Sequence, residues 1–470
     1  MNGGLPADGP EGLTADDPVP GGEDVPAPEP PAHAVPGRPT AAPRLRGKRR
    51  IVLPVVAALA LLAGGGVAAA LSGSPSVPAS GARLVAPAQP VDGRVLSVSV
   101  ASADSAWAVG VACELCGESA SVGQALILHW DGQAWSQARV PSPGGASHLS
   151  GVVSGPGGTA WAVGYYCPSD CGSSLAGDRT LVLYWDGTTW SRVSSPSPGT
   201  GPGSGFAGLA SVSVGPGGTA WAVGDYYCAR CGTAAEIQPL ILHWTGATWS
   251  QVASPVLPSS GNLNSVTSGP DGSAWAAGSY CPAACGKTPP SGSRALILRW
   301  DGRAWSQVPG PGDNEVLAGV AAGPAGTAWA TGFDCTSACQ DSAHSVQTFV
   351  LRWDGSGWSQ VPIPRPGYDS SASGAGSGPG GSAYVSGIYY CSCKASSVKA
   401  RALLLSWNGT AWAQVASPSP GGPAYLADVS SGPDGSVWAA GWYCTSGCGT
   451  GLETDQTLFL NWTAAPRSPR

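Results

Sequence analysis

Residues 82–463 are built from short runs in which β-branched or aromatic side chains alternate with small ones, each run ended by a Gly- or Pro-rich turn. Apolar alternation at period two, punctuated this often, predicts strands and no helices. The fullest unit reads LSGVVSGPGGTAWAVGYYCPSDCGSSLAGDRTLVLYWDGTTWSRVSSPSPG, from Leu149 to Gly199. It predicts four strands, termed a to d from the innermost outward: LxSVxSG, TAWAVGYY, TLVLYWD and TWSRVSSP. GPGGT and DGTT are tight turns from a to b and from c to d, whereas the b to c connection is about a dozen residues long.

The unit recurs with copies near 95, 149, 209, 263, 317, 371 and 426. Its strand b aromatic falls at Trp107, Trp161, Trp221, Trp275, Trp329, Tyr384 and Trp438, at spacings of 54, 60, 54, 54, 55 and 54. A fixed period of this size made of short strands predicts an all-β fold, a seven-bladed β-propeller with four-stranded blades in one domain. The last copy stops at Trp462 and Thr463 without a strand d. ARLVAPAQP, Ala82 to Pro90, matches AQVASPSPG, because Pro87 precedes Trp107 by the same 20 residues that separate Pro418 from Trp438. An N-terminal strand is therefore expected to complete blade seven and close the ring.

Residues 1–50 are rich in Pro, Gly, Ala and acidic residues, and read as a disordered tail. Arg44, Arg46, Lys48, Arg49 and Arg50 then precede IVLPVVAALALLAGGGVAAAL, residues 51–71. As a helix this stretch spans about 31 Å, one hydrocarbon core, and predicts a single transmembrane helix. The basic cluster puts the tail in the cytoplasm and the repeats outside the membrane. Cleavage near Ala68-Ala69-Ala70 would instead release the repeats as a secreted protein. Residues 72–81 form a Ser/Pro/Gly linker and 464–470 a C-terminal tail. Strand d starts on the face of the c to d turns, so the linker enters there and the b to c loops point away from the membrane.

The net charge of −6 and 11% charged residues exclude a nucleic-acid partner, which needs a basic surface. Gly 70 and Pro 44 fall in phase with the repeat and mark its turns, so they do not signal disorder there. Repeated Gly and Ala between the large aromatics are expected to let neighbouring blades approach.

Fourteen cysteines fall two to a copy: Cys113/Cys116, Cys167/Cys171, Cys228/Cys231, Cys281/Cys285, Cys335/Cys339, Cys391/Cys393 and Cys444/Cys448. Zinc spacing is one reading. An oxidising compartment, an odd number of pairs and the lack of a recurring histidine favour disulfides that pin each b to c loop. Blade six departs most, with Tyr384 for Trp, a weak strand a and a Cys-Ser-Cys bridge expected to be the most readily reduced. No metal and no cofactor is implied.

Asp131, Asp186, Asp301 and Asp354 recur as W-D-G, which is turn chemistry. His129 and His243 share a strand c position with Tyr184, Arg299, Arg352, Ser406 and Asn461, a variation expected of surface residues. The candidate binding residues are aromatic: Tyr165, Tyr166, Tyr226, Tyr227, Tyr280, Phe333, Tyr389, Tyr390, Trp442 and Tyr443 stand near the first cysteine of six blades. They could stack on sugars or anchor a protein, or simply cap the core where strand b ends. Irregular residues of the kind a propeller enzyme would use are Asp225, Asp334, His148 and Glu236.

At AWAVG, LILHWDG, WSQV and SPSPG the chain resembles the membrane-tethered or secreted propeller proteins of actinobacteria, and more distantly Kelch and Asp-box propellers. It differs from Kelch in having Val163-Gly164 where those carry a double glycine, and from the Asp-box in reading Asp186-Gly187-Thr188-Thr189-Trp190. The resemblance implies a propeller displayed at the cell envelope. The expected function is a binding module for a glycan or protein; the alternatives are a glycosidase- or lyase-type enzyme and a structural envelope protein without a ligand.

Overall fold

The computed structural model describes residues 81–113, 123–141, 143–168, 177–199, 205–227, 237–282, 292–312, 315–335, 346–391, 399–448 and 454–463. These form seven antiparallel sheets of four strands each, the blades of a β-propeller. Blade two shows the pattern: strand a is Ser147–Ser154, b Ala160–Tyr166, c Arg179–Trp185 and d Trp190–Arg192. Blades one and three to six follow it over 93–137, 207–251, 261–307, 315–361 and 369–414. Blade six, read from sequence as weak in its first strand, has a full one, Asp369–Gly378. Among the described residues no helix is long and apolar enough to cross a membrane, and the apolar segment 51–71 lies outside them.

Blade seven takes three strands from the C-terminus, Ala424–Ser431, Ser436–Ser446 and Thr454–Thr463, and its outermost strand is Arg83–Leu84. Arg83 lies opposite Asn461 and Leu84 opposite Leu460, as Ala413 and Gln414 lie opposite Ser406 and Leu405 in blade six. That register is one residue off the proline match, because Ala82 and not Gly81 takes the place of Trp412. The N-terminal arm goes on to donate from Ala88 N to Trp135 O (3.0 Å) and accept at Val91 O from Thr457 N (3.2 Å). It thus touches the outer edges of blades seven and one.

Tryptophan fills the seams between blades. In six of them the strand b Trp stands edge-on, at 5.1–5.2 Å, to the strand d Trp of the next blade, as Trp107 does to Trp190 and Trp438 to Trp135. The seventh seam explains the Tyr384 exception. Tyr384 meets Trp462 edge-on at 5.7 Å, but where the other seams supply a strand d Trp it faces a blade whose outer strand brings only Ala82. The strand c residues expected at the surface lie over these tryptophans: His129 is 4.2 Å from Trp107, His243 4.0 Å from Trp221, and Arg299 5.3 Å from Trp275. Burial against the rings lowers the pKa of both histidines.

Every strand a carries a β-bulge at the same place, as between Leu149 and Gly151. The bulge explains the glycine that ends AWAVG. A Cβ on Gly164 would lie 1.9 Å from His148 O, and the other six equivalents would meet their own strand a carbonyl within 2.2 Å. That glycine serves contact within a blade, not between blades as its repetition suggested.

The inner strands form a continuous ring, each packed on the next and blade seven on blade one, around a central tunnel. Two kinds of joint link them. Where strand a offers a hydroxyl, it accepts from the next blade's backbone: Ser97 Oγ from Val152 N (3.2 Å), Ser99 Oγ from Ser154 N (2.8 Å), Ser211 Oγ from Val266 N (3.2 Å) and Ser265 Oγ from Val320 N (3.1 Å). Where it offers glycine, the backbones close in: a Cβ on Gly151, Gly319 or Gly374 would lie 2.9, 2.6 or 2.9 Å from the next blade's main chain. At the seventh-to-first seam Asp428 takes the hydroxyl's part, its Oδ2 accepting from Ser97 Oγ (2.8 Å) and Val98 N (3.1 Å).

Candidate functional site

The face from which the b to c loops leave is where the blades differ. There the start of strand a pairs with the end of strand b, and the tunnel opens. The seven strand a residues at this level are Arg94, His148, Gly208, Asn262, Val316, Ser371 and Tyr425. Their partners on strand b are Val111, Tyr165, Asp225, Ser279, Phe333, Ile388 and Trp442. Each strand a residue directly precedes the buried apolar residue before the bulge, as Arg94 precedes Val95 and His148 precedes Leu149. Period two then keeps it out of that core contact.

On blades seven and one these side chains touch, and Tyr390 of blade six lies beside Tyr425. Tyr425 stacks on Trp442 with centroids 5.1 Å apart and planes 12° apart. The Arg94 guanidinium lies 5.4 Å from the Trp442 ring, and its Nε donates to Asp455 Oδ2 at 2.5 Å. Asp455 is buried at 1% exposure, so the pair crosses from blade one to blade seven as a charge-assisted bond out of bulk water. On blade two, His148 stacks on Tyr165 at 4.9 Å. Burial lowers the His148 pKa to about 4, so the ring is neutral, and its Nδ1 is buried without a partner among the described residues. Burial raises the Tyr165 phenol, and the charge of Asp178 raises it further. Asp178 is 6% exposed and burial lifts its pKa to about 6.

The ten aromatics named from sequence divide by position. Tyr166, Tyr226, Tyr280, Tyr389 and Tyr443 pack into the seams between blades, with Tyr166 5% exposed. Tyr165, Phe333 and Trp442 sit one residue earlier, at the level of the mouth. Tyr227 contacts Phe206 at 6.4 Å, and Tyr390 joins the cluster on blade seven. The four irregular residues come from different parts of the chain. His148, Asp225 and Asp334 lie on blades two, three and five, and Glu236 is outside the described residues. Burial raises the carboxyl pKa of Asp225 to about 6 and raises that of Asp334.

Cys444 and Cys448 form a disulfide with Cα atoms 5.8 Å apart. Cys113, Cys167, Cys281 and Cys391 are disulfide-bonded too, while Cys116, Cys171, Cys228, Cys231, Cys285, Cys339 and Cys393 lie outside the described residues, as does the Cys335 side chain. The W-D-G residues behave as turn formers. Asp186 Oδ1 accepts from Thr188 N and Thr189 N, both at 2.8 Å, and these bonds hold its pKa near 2, lowered to about that value also at Asp354.

No protein-family model matches the sequence, and no curated protein matches it. Among solved structures, YCF48 bound to D1 peptide is 14% identical with a TM-score of 0.45, covering 82% of this chain and 96% of that one. The PL25 ulvan lyase is 10% identical with a TM-score of 0.47, covering 80% and 95%. The Hadza microbial sialidase Hz136 is 12% identical with a TM-score of 0.40, covering 73% and 74%. At these values the likeness assigns no activity to this chain.

Proposed function

We propose that this protein is a membrane-anchored, extracytoplasmic β-propeller, closed by its N-terminal strand, that binds an envelope glycan or protein at its tunnel mouth. The observation that carries the reading is the cluster of Tyr390, Tyr425, Trp442 and Arg94, partly exposed and fixed by stacking and by the bond to Asp455. Tyr, Trp and Arg dominate the energetics of recognition surfaces, and side chains already held in place lose little entropy on binding. The seven blades repeat their core faithfully and vary at this mouth, which is the distribution expected of a scaffold that presents a site.

The test is a binding screen with the full-length protein in detergent micelles against glycans, cell-wall polymers and purified envelope proteins. A bound component lost on Trp442→Ala, with the melting temperature unchanged, supports the reading. Failure of every component to bind, or binding indifferent to this substitution, removes it. Protease protection of residues 1–50 in sealed right-side-out vesicles checks the topology; their digestion by external protease would reverse it.

A further inference from the structure

The mouth is chemically lopsided. On blades six to one it presents rings, the Tyr425–Trp442 stack flanked by Tyr390 and Arg94. Across the ring, blade four presents uncharged amide and hydroxyl groups already aligned by one another. Asn262 Nδ2 donates to Asn264 Oδ1 at 2.7 Å, and Ser279 Oγ donates to Asn262 Oδ1 at 2.9 Å. Asn264 Nδ2 donates in turn to Leu317 O at 2.7 Å, which fixes the direction of the chain. Asn262, Asn264 and Ser279 are all partly exposed, as are Tyr425 and Trp442.

Resting on the reading of this mouth as a binding site, we infer that its ligand is a neutral saccharide, one or a few pyranose units. A pyranose has an apolar C–H face that lies on an aromatic ring and a rim of hydroxyls that both donate and accept. The mouth offers a ring stack on one side and an amide–hydroxyl array on the other, matching both parts of such a ligand. Charge argues against an acidic polymer. The guanidinium at the mouth is committed to Asp455, Asp225 stands on the same level, and the whole chain carries −6.

Calorimetric titration of the full-length protein, in a detergent without a sugar headgroup, tests the inference. The probes are neutral gluco-, manno-, galacto- and N-acetylglucosamine oligosaccharides, with oligouronates and a polyol-phosphate polymer as contrasts. The expected result is binding of at least one neutral series and none of the acidic ones. Affinity should fall at least tenfold in Trp442→Ala and in Ser279→Ala, and recover in Trp442→Phe, which keeps a ring in the stack. Binding of the acidic polymers alone, or neutral binding unmoved by all three substitutions, overturns it. A protein ligand lost on Trp442→Ala, with no saccharide bound, overturns the ligand class and leaves the binding-module reading standing. No ligand of any kind removes both.

Discussion

Blades one and two are joined along the tunnel by hydroxyls, Ser97 and Ser99 accepting from the amides of Val152 and Ser154. Blades six and seven are joined at the same height by glycines, Gly374 and Gly376, whose missing Cβ atoms leave room for Asp428 Cα and Val429 O to approach. Both joints hold neighbouring inner strands together, but they fail differently. The hydroxyl joint is a set of replaceable hydrogen bonds, each worth about 1 kcal/mol net. The glycine joint is a steric condition on the main chain, and main chain on both sides cannot give way.

The largest effect should therefore come from Gly374→Ala. Its Cβ would fall 2.7 Å from Ser386 Oγ and 2.9 Å from Asp428 Cα, and we expect a loss of about 3 kcal/mol in a denaturant titration. A loss under about 1 kcal/mol would show that the seam can relax. Ser97→Ala should cost about 1–2 kcal/mol, because Val152 N loses its acceptor and Asp428 loses one of its donors.

The third effect sets the acid joint apart from both. Asp428 is half-buried in the tunnel wall, and burial raises its pKa to about 6 despite the bonds from Ser97, Val98 and Val429. A carboxyl whose folded pKa exceeds its unfolded value of about 3.9 contributes stability that is full below pH 3.9 and lost as pH rises through 6. The Asp428 contribution should thus grow on acidification from pH 7.5 to 5. It acts against the opposite contribution of His148, whose pKa burial lowers to about 4 and whose share of stability is lost as pH falls below its unfolded value of about 6.5. Asp225 and Asp178 have the same sign, so Asp428→Asn should flatten only part of the slope in melting temperature against pH. An unchanged slope would place the titration elsewhere.

The smallest effect lies outside the seams. The a to b turns of blades two, three and six hold Gly157, Gly217 and Gly380 at φ of 65–70°, but blade five puts Ala325 there at φ 55°. Ala325→Gly should gain about 0.5 kcal/mol, the relief of left-handed strain less the added freedom of the unfolded chain. A loss on substitution would mean that the alanine makes a contact worth more than its strain.

Much of this fold could be read from period and turn chemistry. The blade count, the four strands and the Asp186-type turns follow from residues that repeat because their local geometry repeats. The joints were harder to read, since Ser97 and Gly151 occupy one alignment column and look like conservative small-residue exchange. Only the neighbouring blade shows that one bonds and the other makes room. The mouth was legible in part. Aromatics before the cysteine were visible as a class, but alternation sends Tyr165 to the mouth and Tyr166 into a seam, and one residue of register decides which. Arg94, Asn262 and Tyr425 vary freely from copy to copy and so carry no repeat signal. Their signal is a variable position held in phase between invariant ones, which sequence alone does not separate from an unconstrained surface.

The arm that supplies the outer strand of blade seven also fixes how the molecule answers to mechanical load. Any tension on the chain ahead of residue 81 meets first the bond from Ala82 N to Ala416 O, then the pairing of Arg83–Leu84 and the bond from Val85 N to Phe459 O, and reaches the Ala88 and Val91 bonds only after those give. The ring should therefore unzip in steps, starting at its outer edge, while the tunnel joints stay unloaded. In a single-molecule extension pulled from the N-terminus, a small early release should precede the main rupture; a single rupture without it would overturn this order.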